Sequence, residues 1–103
     1  MLNRMYALYD KKAQFFQKPF HAVNDETALR MIKNAFTQQD SQQAPFVVNP
    51  EDFSIHLIGT YDDNSGKVES DIQHITDILE LVPANNVVDL NTAKAPEQAN
   101  DNS

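Results

Sequence analysis

The chain has no cysteine in its 103 residues. That removes a disulfide framework, a thiolate nucleophile and a cysteine-based zinc site together. It has two glycines, and the only Gly-Lys pair, Gly66–Lys67, lacks the earlier glycine that a phosphate-cradling GxxxxGK[ST] loop requires. Nowhere is there an apolar run near the roughly 18 residues of a membrane span, and "MLNRMYALYD" has no unbroken apolar stretch of the signal-peptide kind. These absences predict a protein without a membrane partner, in the cytoplasm. Hydrophobic residues make up 41% of the chain, enough for one core without metal or covalent staples.

Charge is present but unevenly placed. The net value is −7, yet residues 1–50 carry six cations against four acids, while residues 51–103 carry two against eleven. Charges beyond a Debye length of about 8–10 Å are largely screened, so a basic surface on the first half is compatible with an acidic whole. The stretch "YDKKAQFFQKPFH", Tyr9 to His21, concentrates three lysines and four aromatic rings.

The apolar patterning predicts an α+β fold in one domain over residues 1–83, followed by a flexible polar tail over 84–103. Met5–Asp10 and Ala13–Val23 read as strands joined by a hairpin loop. Pro19 has no amide hydrogen, which places the second strand at a sheet edge or puts a bulge there. Asn24 is a good N-cap, Asp25 and Glu26 suit a first turn, and Ala28, Met31, Ile32, Ala35 and Phe36 recur at helical spacing. A helix over about 25–38 is expected, with Val23 stapled against Ala28. "NPED" marks a turn. Beyond it, Phe53, Ile55, Leu57, Gly59 and Tyr61 alternate with Ser54, His56, Ile58 and Thr60 as in a strand. "DDNSG" then gives a hairpin turn and "KVES" a short returning strand. Ile72, Ile75, Ile78, Leu79 and Val82 predict a second helix ended by Pro83. The expected order is ββαββ plus a C-terminal helix, an antiparallel sheet covered on one face.

Catalytic and metal chemistry find little support. The serines lack a nucleophile-elbow context, and the carboxylates show no selective pairing. His21, His56 and His74 lie in three separate elements, with His56 on the sparser face of its strand, where an imidazole stays solvated. "DDNSGK" departs from a calcium loop, because its glycine is fifth and Gln73 stands twelfth. No enzyme, metal or cofactor is therefore expected. Lysines tracking phosphates beside rings that stack on bases are the usual means of gripping single-stranded nucleic acid. Arg4, Lys11, Lys12 and Lys18 are the candidate phosphate contacts, and Tyr6 and Phe15 the candidate stacking residues. About half of the strand rings must face the core, and a single helix leaves one sheet face uncovered. A homodimer is the matching expectation.

The segments "YDKKA", "PF" followed by "NDETALR", and "NPEDFSIHLIGTYDDNSGKV", in this order over about residues 4–69, resemble the small nonstructural protein of the gokushovirus-like microviruses, bacteriophages with circular single-stranded DNA genomes. The resemblance implies a DNA-binding role in genome replication, at the switch to single-strand production, in the host cytoplasm and outside the virion. The rival expectation is a regulatory module that binds a viral or host replication protein and never touches DNA. The resemblance supplies no catalytic residue.

Overall fold

The computed structural model describes residues 1–83, so the expected polar tail over 84–103 lies outside the described residues. A five-stranded antiparallel sheet is built from β1 (Leu2–Asp10), β2 (Phe15–Phe16), β3 (Phe20–Ala22), β4 (Phe53–Asp62) and β5 (Val68–Asp77). β1 lies centrally, with β2 and β3 along one side and β4 then β5 on the other. The α+β class and antiparallel sheet are as the patterning predicts.

The second predicted strand is broken in two where Pro19 falls. Tyr9 pairs with Phe16 and Tyr6 with Phe20, so the register slips by one residue across the Gln17–Pro19 segment. The strand is also at the sheet edge, which spares proline a ladder bond it cannot make. The preceding turn is held by Asp10, whose Oδ1 accepts from the amides of Lys12 and Ala13, each at 3.0 Å. Gln14 completes it in the left-handed region, at φ 62°.

α1 (Asp25–Ala35) starts where Asn24 Oδ1 accepts from the Thr27 amide at 2.8 Å. Its end is held by Gln42, whose Nε2 donates to the carbonyls of Phe36 (3.1 Å) and Gln38 (2.9 Å). Those bonds occupy carbonyls that a helix terminus otherwise leaves open. Ala28, Ile32 and Phe36 face the sheet and pack with Tyr6, Leu8, Phe53, Ile55 and Leu57. Truncating Phe36 would cost about 3–5 kcal/mol by the usual scale for buried aromatics. Val23 stays exposed, so the expected staple against Ala28 is not formed. Between helix and sheet run two 3₁₀ turns and the short α2 (Pro45–Val48).

The predicted C-terminal helix is corrected. Residues 68–77 continue the sheet as β5, and only Ile78–Leu81 turn, as a single 3₁₀ segment that buries Ile78 and Leu81 under the core. The ladder against β4 explains the misreading. Ile55 pairs with Thr76 and His56 with His74, leaving Ile75 as an extra residue. A bulge resets the two-residue alternation, so Ile72, Ile75 and Ile78 fall three apart and imitate a helical stripe.

A second irregularity corrects the faces of β4. Tyr6 pairs with Leu57 and Met5 with Gly59, so Ile58 is extra. Beyond it Thr60, opposite Arg4, shares the helix side with Leu57, while Gly59 and Tyr61 join the open face with Met5 and Asn3. Gly59 is required there: a Cβ would lie 2.3 Å from the Glu69 carbonyl oxygen.

Candidate functional site on the open sheet face

Because Tyr6 and Leu8 point toward α1, the residues between and after them, Ala7 and Tyr9, point to the opposite face. Ala7 is opposite His56, and Tyr9 is flanked by Phe16 and Ser54. His56 is in turn opposite His74 on β5. A row of rings therefore crosses the strands. Phe16 lies 4.8 Å from Tyr9 and 5.3 Å from His56 between ring centroids, and His56 lies 5.2 Å from His74, edge to face. Phe16 remains 41% exposed at one end, and His74 is exposed at the other.

The His74 end carries its own charges. Asp77 Oδ1 is 3.1 Å from His74 Nε2 and 3.7 Å from Lys11 Nζ. The His74 hydrogen bond and then the Lys11 charge hold the Asp77 carboxyl below its ordinary range. His56 is half-buried rather than solvated, which corrects the expectation for its face. Burial, followed by the neighbouring His74 charge, pushes its imidazole below the ordinary value, with Asp77 opposing. Its Nε2 lies 2.9 Å from Ser54 Oγ, and its Nδ1 is buried with no partner among the described residues. Two histidines and a carboxylate share this corner, but among the described residues no three His, Asp or Glu side chains are grouped to hold a metal ion.

The six residues singled out from the sequence are dispersed. Tyr6 is fully buried, stacked on Phe20 at 6.0 Å, and donates its hydroxyl to Asp25. Its ring offers no face to a base, and it leaves the set of stacking candidates. Arg4 is held on the helix side by Asp25 (2.9 Å) and the Tyr6 hydroxyl (2.8 Å). Phe15 is 52% exposed but opposite Asp10, so it faces the other way from Phe16. Lys11 is at the ring row, tied to Asp77. Lys12 in the turn and Lys18 in the strand break are exposed, and neither pairs with a carboxylate among the described residues. Phe16, Tyr9, His56 and His74 were missed. The alternation of Phe15 with Phe16 signals that one ring of the pair must be outside; the contact between His56 and His74 depends on a bulged register that no local spacing reveals.

Among the described residues the site thus offers exposed ring edges and faces on the side opposite the core, one cation neutralised by Asp77, and two cations without a carboxylate partner in the adjoining turn and strand break. Such an arrangement suits a planar or extended ligand with anionic groups. No helix among the described residues is long and apolar enough to cross a membrane. No curated protein and no solved structure matches the chain. A family model described as Phage ORF5 protein matches residues 3–81, and the chain accordingly belongs to that bacteriophage protein family.

Proposed function

We propose that this phage protein binds single-stranded DNA on its open sheet face, without sequence preference and without catalysis, and acts in genome replication in the host cytoplasm rather than in the virion. The observation that carries this reading is the ring row Phe16–Tyr9–His56–His74, with Lys11, Lys12 and Lys18 in the adjoining turn and edge. Bases stack on exposed rings for about 1–3 kcal/mol each, and lysines at the border of the row meet the phosphates. Phe16 replaces Tyr6 as the first stacking residue. Arg4, engaged with Asp25, contributes position rather than a phosphate contact. The acidic second half disfavours approach from other sides, which confines the strand to this face.

The test is fluorescence anisotropy of a labelled oligonucleotide titrated between about 50 and 200 mM salt, where phosphate-dominated affinity falls steeply. It is repeated with Phe16→Ala and with Lys11, Lys12 and Lys18 all changed to glutamate. Loss of affinity in both variants is expected. No binding by the unaltered protein at low salt abandons the reading, and binding untouched by either variant moves the site elsewhere.

One observation favours the alternative, a regulatory module for a viral or host replication protein. Lys11 is already neutralised by Asp77, and Val68 and Ile72 are exposed on acidic β5. A protein that captures a replication protein but gives no anisotropy change with DNA fits that reading.

A further inference from the structure

The two margins of the sheet differ. One is formed by β2 and β3 and is interrupted by Pro19 and a register slip. The other is β5, ten residues long, exposed from Val68 to His74 and paired with β4 alone among the described residues. A long exposed edge presents free N–H and C=O groups and is a template for another strand. Val68 and Ile72, each 61% exposed, share the open face by alternation.

We propose that β5 is the site at which a second copy of this chain adds, antiparallel, across a two-fold axis at Ile72. The axis position follows from charge and from the bulge at Ile75. Two-fold antiparallel pairing keeps each face on its own side, so the axis must pass through a residue rather than between two. Centred on Ser70, Glu69 meets Asp71 of the second copy; centred on Asp71, that carboxylate meets itself. Centred on Gln73 or His74, the pairing runs into the extra residue Ile75 within two residues of the axis, and beyond it the faces no longer match: Asp77 is on the open face, opposite Ser54, while Glu69 is on the helix side, opposite Thr60. The first two registers set like charges directly opposite, which is destabilising, and the last two leave only a few residues to pair before the bulge. Centred on Ile72, no acid meets an acid. Asp71 then faces Gln73 of the second copy, the same two side chains that already bond within one chain at 2.9 Å. Ser70 faces His74 on the open side. Like-charge repulsion on one side and the bulge at Ile75 on the other therefore leave this register, and both open faces end on the same side of a ten-stranded sheet. This inference is independent of DNA binding and stands if that reading fails.

The absence of cysteine makes the test clean, since each variant carries one thiol. Opposed residues in antiparallel strands have Cα atoms about 4.5–5.5 Å apart, within disulfide reach. Ile72→Cys therefore cross-links to itself under mild oxidation. Val68→Cys is equally exposed but lies about 26 Å from its mate in this register, at roughly 3.3 Å per residue, and serves as the control. The expected results are a dimer by light scattering for the unaltered chain and cross-linking at least about tenfold faster for Ile72→Cys than for Val68→Cys. Gln73→Glu, which places an acid against Asp71 of the second copy, weakens the dimer. A monomer at all concentrations, or equal cross-linking of the two variants, overturns the proposal. So does a monomer whose Val68–His74 amides are protected from hydrogen exchange, because the edge would then be covered by another segment of the same chain.

Discussion

Tyr6 donates its hydroxyl to Asp25 Oδ1 at 2.5 Å, and Arg4 donates to the same oxygen at 2.9 Å. The centre of β1 is thereby fastened to the first turn of α1. Asp25 also suits that position because a helix start favours negative charge. Tyr6→Phe keeps the buried ring and removes only the donor to a charged acceptor, so a loss of about 1.5–3 kcal/mol is expected in urea unfolding. DNA affinity should be unchanged, because this contact is on the opposite face from the ring row.

The same contact sets an acid limit. The Tyr6 hydrogen bond, then Arg4, hold the Asp25 carboxyl below its ordinary value of 3.8, with burial opposing. A depressed carboxyl contributes stability that is present above the unfolded value and is lost as pH falls through the folded one. Thermal melts should therefore drop in temperature below about pH 4, and Asp25→Asn should flatten that part of the profile.

His56 gives a second pH dependence in a different window. Burial, then the His74 charge, lowers its imidazole from the ordinary value of 6.5. The unfolded chain takes up a proton first as pH falls, so this contribution is full above about pH 6.5 and declines below it. Comparing melts of the unaltered protein and His56→Gln between about pH 7.5 and 5 should show a shallower decline in the variant.

The lysines of the hairpin should not be equivalent. Lys11 is already engaged by Asp77, whereas Lys12 and Lys18 are exposed without such a partner among the described residues. Each phosphate contact on a single strand contributes about 0.7 to the slope of log affinity against log salt. Lys12→Ala and Lys18→Ala should each remove about that amount, and Lys11→Ala clearly less. Equal slopes for all three would show that Asp77 does not restrain Lys11.

The two glycines should separate close packing from turn geometry. Gly59→Ala sets a methyl 2.3 Å from the Glu69 carbonyl oxygen, whereas Gly66→Ala meets nothing within 4 Å and bears only its φ of +77°. The unfolding free energy from denaturant titration should fall for both, by about 1–2 kcal/mol for Gly66→Ala. The loss at Gly59 should be larger, because the backbone of β5 must move.

What could be read from the sequence divides along one physical line. Asn24, the first-turn acids and the spacing of Ala28, Ile32 and Phe36 are local signals, and α1 follows them. Pro19 is another, since its missing amide acts on its own neighbours. Residues whose position depends on a bulge were not legible: Ile75 turned strand spacing into an apparent helix, and Ile58 exchanged the faces of Thr60 and Tyr61. Tyr6 misled for a related reason. A tyrosine beside basic residues suits either a stacking surface or a buried ring with a satisfied hydroxyl, and the partner that decides, Asp25, is 19 positions away. The ring row was hidden in the same manner, because His56 and His74 meet only through the paired register of two strands.

The break at Pro19 also limits how far this molecule can associate. With one margin unable to accept a neighbour along its length, strand addition is available to each copy once. Growth of that kind terminates at a closed pair and has no second template from which a fibril could lengthen.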